Sequence, residues 1–278
     1  MKITVLVDNN TLIDRYFYGE PGVSYYIEDE GKTILFDVGY SDAFLRNAQK
    51  MNISFHTLDF LVLSHGHLDH TWGLDHLVKF YSEASNEKQS IRKPRIVAHP
   101  LVFKSKIFDG EEIGTLISEE KISQHFKLEL SMKPVWISEQ LVYLGEIPRT
   151  NDYENKRSIG MVVYEDNQEQ DYLKDDSALV YKSKNGLIII TGCSHSGICN
   201  IIDYAKKVCH EEKVADVIGG FHLLNPDKNV LEKTIDYFSY LKPGTTHPCH
   251  CTDLKTKIAL SNIVPVEEVG VGMTLQYA

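Results

Sequence analysis

Three histidines and one aspartate lie within six positions of the chain, directly after a short apolar segment. The apolar residues 60–63 predict a buried strand, and His65, His67, Asp69 and His70 follow it. Imidazole and carboxylate groups are ligands that zinc, iron and manganese take in proteins. A loop at the end of a buried strand can present such side chains on one side, so this stretch predicts a metal site.

The stretch 64–70, which reads Ser-His-Gly-His-Leu-Asp-His, resembles the signature of the metallo-β-lactamase superfamily of metal-dependent hydrolases. The resemblance implies a dinuclear centre, in which His65 and His67 hold the first metal and Asp69 and His70 hold the second. Asp69 is expected to be catalytic as well, because it would orient the nucleophile. The implied α/β fold is the four-layer αββα sandwich, with the metals at one edge between its two sheets. The expected cofactors are two divalent ions, with zinc favoured and iron or manganese as alternatives.

Asp37 ends an early apolar strand, in the segment Ile-Leu-Phe-Asp-Val-Gly at residues 34–39. Where the family has this Asp-x-Gly pattern, the aspartate usually supports the metal loop from behind the ligands. The alternative is a local role, in which Asp37 only caps the helix predicted to begin near Ser41 and Asp42.

Histidines also follow two other apolar strands, after Ile190 and after Ile218, and a further cluster precedes the last predicted helix. Sites in α/β sheets form at strand ends, so we expect these loops to converge on the first one. Cys193 stands where the family usually has a metal-bridging aspartate. It is either a thiolate ligand, as in the zinc β-lactamases, or a small buried residue near the site.

The resemblance leaves the first metal one ligand short, because the family supplies a histidine upstream of Cys193 in a Gly-His context that this chain lacks. His195 is the expected replacement, and a substrate or supporting role is its alternative. His222 and His250 compete for the last ligand of the second metal. We assign it to His250, which lies near the C-terminus where the family places it, and expect His222 to contact substrate. The Pro-Cys-His-Cys pattern at 248–251 could alternatively form a separate zinc site.

Four segments narrow the resemblance to one branch of the superfamily. They lie at residues 145–149, 191–197, 219–223 and 248–252. They resemble the branch that includes the methanopterin-pathway synthase, which joins a dihydropterin to aminobenzene ribofuranosyl phosphate. Asp253 departs from the glycine usual in that branch. Arg149 is expected to clamp an anionic substrate, because a guanidinium forms paired hydrogen bonds with phosphate; a surface position is the alternative.

The implied function is that of a metal-dependent hydrolase or transferase acting on a small anionic substrate, phosphorylated or pterin-like. Two alternatives stay open: a ribonuclease or phosphodiesterase of the same fold, and a non-catalytic sensor that binds a ligand through its metal. The net charge of −10 argues against a general nucleic-acid surface, so no nucleic-acid partner is expected.

Composition predicts a folded domain without a membrane segment. The 278 residues are 42% hydrophobic, and no apolar run approaches the length of a transmembrane helix, so no membrane partner is expected. The first strand is too short in its apolar part for a signal peptide. We therefore expect a cytoplasmic protein whose five cysteines are reduced. The oligomeric state stays open.

The pattern of elements predicts one domain over residues 1–278, with a possible cap or insertion within the irregular residues 101–145. A polar loop is predicted at 82–94, a hairpin at 178–190 and a last strand at 266–270. Apolar periodicity predicts helices at residues 42–51, 74–81, 198–209, 230–241 and 253–261.

Overall fold

Two β-sheets packed face to face form the centre of the protein, in a computed structural model that describes residues 1–165 and 167–278. The strands are β1 Lys2–Val7, β2 Ser24–Asp29, β3 Lys32–Phe36, β4 Phe60–Val62, β5 Arg95–Ala98, β6 Lys106–Phe108, β7 Glu111–Glu112, β8 Lys127–Leu130, β9 Val135–Trp136, β10 Leu141–Tyr143, β11 Met161–Val163, β12 Gln168–Gln170, β13 Ala178–Ser183, β14 Gly186–Thr191, β15 Val214–Gly220, β16 Thr245–Cys249 and β17 Thr274–Gln276. The helices are α1 Ala43–Lys50, α2 Leu68–Thr71, α3 Leu74–Asn86, α4 Glu119–Ser123, α5 Ile198–Cys209, α6 Lys228–Leu241 and α7 Leu254–Ser261, with a 3-10 turn at Pro100–Phe103.

The parallel strands of both sheets determine where a site can form. The first sheet has the order β17-β1-β2-β3-β4-β5-β8, and its strands β3, β4, β5 and β8 are parallel. The second sheet has the order β16-β15-β14-β13-β10-β9, and β14, β15 and β16 are parallel. Loops that leave the carboxyl ends of such strands lie side by side at one edge of their sheet.

Three apolar layers hold the sheets and helices together. Between the sheets, Val62 of the first packs in one cluster with Ile190 of the second. Phe44 of α1 and Leu77 of α3 cover the outer face of the first sheet, and helices α5 and α6 cover the second with residues such as Ile202. Each fully buried side chain of this kind contributes about 1.5–3 kcal/mol. The predicted four-layer αββα sandwich is thereby confirmed.

A third, small sheet has the order β12-β11-β6-β7. Its strands come from two distant segments, since Lys106 and Ile107 of β6 pair with Val162 and Met161 of β11. The irregular region 101–145 therefore does not form a cap from its own residues alone. Its first part joins the small sheet, β8 extends the first large sheet, and β9 and β10 extend the second.

Two sequence expectations need correction. Helix α3 continues to Asn86, so the first part of the predicted loop 82–94 is helical, because Tyr81 and Ala84 continue its buried face. The predicted last strand at 266–270 makes only an isolated bridge, between Val266 and Thr246. The chain then crosses to the first sheet, where β17 pairs with β1. The predicted helix 198–209 coincides with α5.

In the described part of the chain, no helix is both long and apolar enough to cross a membrane. The five cysteines are buried free thiols.

Candidate metal centre

Four loops meet at the edge where the parallel strands end. Strand β4 leads into residues 64–70, β14 into 192–197, β15 into 221–222 and β16 into 250–252. Their side chains form groups in which the potential ligand atoms all lie within 4.8 Å of one another. The groups are His65, His67 and His195; Asp69, His70, Cys193 and His250; and Cys193, His195 and His222. The structure thus brings together the loops that the sequence analysis expected to converge at the strand ends.

Gly192 allows the loop after β14 to approach the loop after β4. A Cβ atom at this position would collide with the hydroxyl group of Ser64. Only glycine lacks that atom, so the close approach depends on the residue type. The loop then continues to Cys193 and His195, which face the histidines of the first loop.

The first group consists of three buried histidines with unused nitrogen atoms. Nε2 of His65, Nε2 of His67 and both ring nitrogens of His195 have no hydrogen-bond partner among the described residues. The ring of His195 lies 4.7 Å from each of the other two rings, centroid to centroid. Burial lowers the pKa of His67 to about 3 and holds the pKa values of the other two well below the usual range. Three neutral imidazoles with unpaired nitrogens around one point fit a divalent cation.

The second group combines carboxylate, imidazole and thiol. The Sγ atom of Cys193 lies 3.3 Å from Nε2 of His70 and 3.2 Å from Nε2 of His250, which is itself 3.2 Å from Oδ2 of Asp69. Burial alone would lower the pKa of His70, but Asp69 and Asp37 raise it to about 9. Four such donors match the number that a tetrahedral zinc ion takes.

The two groups are neighbours, because the rings of His65 and His70 are 4.2 Å apart, centroid to centroid. His222 lies beside both: its ring is 4.1 Å from that of His195, and it shares the third group with Cys193. Unlike the other histidines of the site, His222 is exposed. The structure therefore groups His250 with the second set of donors and leaves His222 on the solvent side.

Asp37 lies fully buried behind the first loop. Its carboxylate accepts hydrogen bonds from the backbone N–H of Ser64 at 2.7 Å and from the Ser64 hydroxyl at 2.6 Å. Its Oδ2 is also 2.7 Å from Nδ1 of His70, and the Ser64 hydroxyl lies 2.9 Å from Nδ1 of His65. Such partners fix the ring orientation and leave each Nε2 available for a ligand. The expected supporting position of Asp37 matches these contacts, and it caps no helix.

Two residues at the end of β1 orient His250, and the sequence reasoning missed both. Oδ1 of Asn9 lies 2.9 Å from Nδ1 of His250, and Oδ2 of Asp8 accepts a hydrogen bond from the His250 backbone N–H at 3.2 Å. Asn9 therefore orients the ring of His250 through its Nδ1 atom, as Asp37 orients the ring of His70. A usable signal was present, because β1 is also an apolar strand that ends in polar residues.

Arg149 does not join this assembly. Its guanidinium donates hydrogen bonds to the carbonyl oxygens of Ile147 at 2.7 Å, Leu173 at 2.6 Å and Tyr172 at 3.3 Å. It is also absent from the residues that line the cavity above the histidines. Arg149, which the sequence predicted to bind the substrate, therefore binds the protein backbone instead. Its donors are taken up by three carbonyl groups.

The Pro-Cys-His-Cys pattern does not form a site of its own. Cys249 points between the two sheets, where its Sγ lies 3.2 Å from the hydroxyl of Tyr25. Cys251 points to the histidine site, and its thiol lies 3.4 Å from the carbonyl oxygen of Cys193. Strand β16 ends at Cys249, and the left-handed backbone of His250, with φ of 50°, turns the chain before Cys251. The two cysteines therefore point to different sides.

A cavity of about 620 Å³ opens above the donor groups. Six of its lining residues are not potential ligands and carry mostly apolar surface. They are Pro21, Tyr40, Leu68, Ile113, Ile159 and Leu224, with Asn9 at one side. Tyr40 stacks on Trp72 with ring centroids 5.1 Å apart, which fixes its ring at the cavity wall. The cavity therefore offers an apolar wall and a ligand-rich floor.

A second cleft, of about 510 Å³, adjoins this cavity and shares His195, His222, Ile159 and Leu224 with it. Its lining includes Lys156 and is more polar than the first cavity.

Comparisons with known proteins agree with this geometry. The family model described as the metallo-beta-lactamase superfamily matches residues 18–86, which include the His-x-His-x-Asp-His loop. An uncharacterized protein of Methanocaldococcus jannaschii is 31% identical over 265 residues, which is 94% of each chain. The 7,8-dihydropterin-6-methyl-4-(beta-D-ribofuranosyl)-aminobenzene-5'-phosphate synthase of the same organism is 32% identical over 92% of this chain and 89% of its own.

Among solved structures, a metal-dependent hydrolase of the beta-lactamase superfamily, Tm1679, superimposes with a TM-score of 0.84. It is 26% identical, and the match covers 100% of this chain and 99% of the hydrolase.

Proposed function

Since the chain belongs to the metallo-β-lactamase superfamily, we propose that it is an enzyme that uses two divalent metal ions to transform a small anionic substrate. Zinc is the favoured metal, because the donors include a thiol. The observation that carries this proposal is the pair of adjoining donor groups at the floor of one cavity. We also propose a cytoplasmic location, which the five free thiols support.

The two donor groups suggest different tasks. His65, His67 and His195 would hold the first metal and leave a coordination position for water or substrate, as catalytic zinc sites do. Asp69, His70, Cys193 and His250 would hold the second metal with a full set of four donors. Metal ions bound there would act as Lewis acids and lower the pKa of a coordinated water to about 7.

The chain's own residues would position and protonate the reactants. The carboxylate of Asp69 is partly open to the cavity and can accept a hydrogen bond from the attacking group, which orients it. His222 lies on the solvent side and lines both the cavity and the adjoining cleft. From there it can donate a proton to a leaving group. Tyr40, Ile113 and Leu224 would exclude water around the substrate.

The shape of the cavity supports a substrate with a flat ring and an anionic end. Tyr40 and Ile113 offer an apolar wall for the ring, and the adjoining cleft offers Lys156 for a phosphate group. Arg157 is a weaker candidate for that role, because it is paired with Asp227 at 3.1 Å. The synthase relative has both a dihydropterin and a ribofuranosyl 5'-phosphate in its name. We therefore propose a phosphorylated or pterin-like substrate, and no nucleic-acid partner.

Turnover measurements test this proposal. Zinc- or manganese-loaded protein is assayed with a phosphomonoester, a phosphodiester, an RNA oligomer, and a dihydropterin diphosphate together with aminobenzene ribofuranosyl phosphate. We expect turnover of at least one small substrate, abolished by a chelator and by His67→Ala. The matched control is His76→Ala, which removes a histidine from helix α3 outside the site.

The results separate the alternatives. Metal binding without turnover of any small substrate would favour a ligand sensor, and cleavage of RNA alone would favour a ribonuclease. Loss of activity in His76→Ala as large as in His67→Ala would mean that the candidate site is not the site of reaction.

A further inference from the structure

Two adjacent carboxylates, Asp175 and Asp176, lie fully buried beside the candidate metal centre without belonging to any of its donor groups. They precede strand β13, far in sequence from the His-x-His-x-Asp-His loop. Charged side chains are rarely buried to this degree unless they have specific partners. Their partners lie in the two loops that supply the three-histidine group.

Asp175 holds the first of these loops. Its Oδ2 accepts a hydrogen bond at 2.8 Å from the backbone N–H of Gly66, the residue between His65 and His67. The loop has little room to move, because a Cβ atom at Gly66 would lie only 2.5 Å from the carbonyl oxygen of Val102. One carboxylate oxygen therefore fixes the backbone from which both histidines project.

Asp176 holds the second loop. Its Oδ2 accepts a hydrogen bond at 2.8 Å from the backbone N–H of Ser196, and it also accepts one from the Ser196 hydroxyl. Ser196 directly follows His195, the third histidine of the group. Asp175 and Asp176 thus each form a hydrogen bond with one of the two loops. Because they are consecutive in the chain, the peptide bond between them sets the distance from one loop to the other.

The segment that carries the carboxylates is itself anchored by cations. Lys106 of β6 is buried, and its Nζ lies 3.1 Å from Oδ1 of Asp175 and 2.8 Å from Oδ2 of Asp171. This pairing offsets the cost of burying the Asp175 charge. The guanidinium of Arg149 binds the carbonyl oxygens of Tyr172 and Leu173 in the same segment.

We infer that Asp175 and Asp176 are positioning residues, which hold the loops of His65, His67 and His195 at the spacing that the first metal needs. The inference rests on the proposed function, because it assumes a metal among these three histidines. The carboxylates act through backbone groups and touch neither substrate nor metal. This role would also explain why the small sheet packs beside the site, since that sheet supplies Lys106, the partner of Asp175.

A cobalt titration of the full chain tests this inference, because cobalt reports the two positions separately. Cobalt bound to the Cys193 thiolate gives a charge-transfer band, whereas cobalt among three histidines gives only ligand-field bands. For Asp175→Ala and Asp176→Ala, which remove the acceptor of each backbone N–H, we expect affinity at the three-histidine position to fall about 10- to 100-fold, the usual effect of losing such a partner. The thiolate band should keep its wild-type titration curve.

Asp29→Ala is the matched control. Asp29 is also a buried carboxylate, but it accepts its side-chain hydrogen bond from the hydroxyl of Ser138 at 2.6 Å, away from both metal loops. It should leave both cobalt affinities unchanged. If Asp176→Ala fails to fold by circular dichroism, Ser196→Ala is the milder variant for this contact, since it removes the hydroxyl contact with Asp176 and keeps the backbone one. A loss of about fivefold at the three-histidine position is then expected, the net value of one hydrogen bond.

The possible failures are distinguishable. If the wild-type chain binds no cobalt, the proposed function falls, and the inference falls with it. If the wild type binds two ions and the carboxylate variants bind both with unchanged affinity, only the inference is overturned. An equal loss at both positions, or a loss in Asp29→Ala of the same size, would also overturn it.

Discussion

Replacing Asp37 tests how much the buried carboxylate behind the metal loop contributes to stability. Asp37→Ala removes the acceptor for three donors: the Ser64 N–H at 2.7 Å, the Ser64 hydroxyl at 2.6 Å and Nδ1 of His70 at 2.7 Å. The hydroxyl has another partner, since it lies 2.9 Å from Nδ1 of His65. Two buried donors are therefore left without an acceptor.

Each buried donor left unpaired costs about 1–3 kcal/mol. Asp37→Ala should therefore lower the free energy of unfolding of the metal-free protein by about 2–6 kcal/mol. This is a large part of the roughly 5–15 kcal/mol typical of folded domains. Asp37→Asn is milder, because the amide oxygen can still accept from the Ser64 N–H. One donor then lacks an acceptor, and a loss of about 1–3 kcal/mol is expected.

Urea unfolding followed by circular dichroism, in the presence of a chelator, measures these differences. Asp42→Asn is the control, because Asp42 is half-exposed and lies 3.9 Å from Arg46 in a surface pair. Its effect should stay within about 0.5 kcal/mol. If Asp37→Ala unfolds at the same urea concentration as the control, the buried network contributes nothing and the reasoning fails.

Three further predictions concern the donor groups. Cys193→Ser should abolish the cobalt–thiolate band while the ligand-field bands of the three-histidine position remain; a persistent band would assign the thiolate elsewhere. His195→Ala should lower metal content from about two ions to one per chain, and His76→Ala should not; elemental analysis of dialysed protein decides this. Stability of the metal-free protein should fall as pH drops from about 6.5 towards 3, because His67 takes up a proton in the unfolded chain near its ordinary pKa but in the folded chain only near pKa 3. His67→Gln should reduce that slope in urea unfolding without removing it, because the pKa values of His65 and His195 are also held well below the ordinary value.

The sequence predicts the features that depend on local pattern. Periodicity places helix α5 at Ile198–Cys209, and an apolar strand followed by His-x-His-x-Asp-His marks the first metal loop. The convergence of four loops also follows from pattern, because parallel strands deliver their carboxyl ends to one edge. These inferences need only neighbouring residues and the general geometry of α/β sheets.

The features that local pattern does not reveal depend on residues distant in sequence. In the sequence, Lys106 is one of several charged residues in an irregular region. In the structure it is buried, because it pairs with Asp171 and Asp175 of a distant segment. Arg149 matches a phosphate clamp by type, but its place is decided by the carbonyl groups it meets. Asn9 lies in the first loop of the chain and meets His250 only because their strands end at the same edge.

The most direct test of the central claim is a crystal structure of the zinc-loaded protein, with anomalous scattering measured at the zinc edge. Two peaks are predicted at the floor of the cavity. The first should lie about 2.0–2.1 Å from nitrogen atoms of His65, His67 and His195. The second should be bound by Asp69, His70 and His250, with Sγ of Cys193 at about 2.3 Å. A single peak, or a second ion bound by His222 with His250 remote, would contradict the assignment.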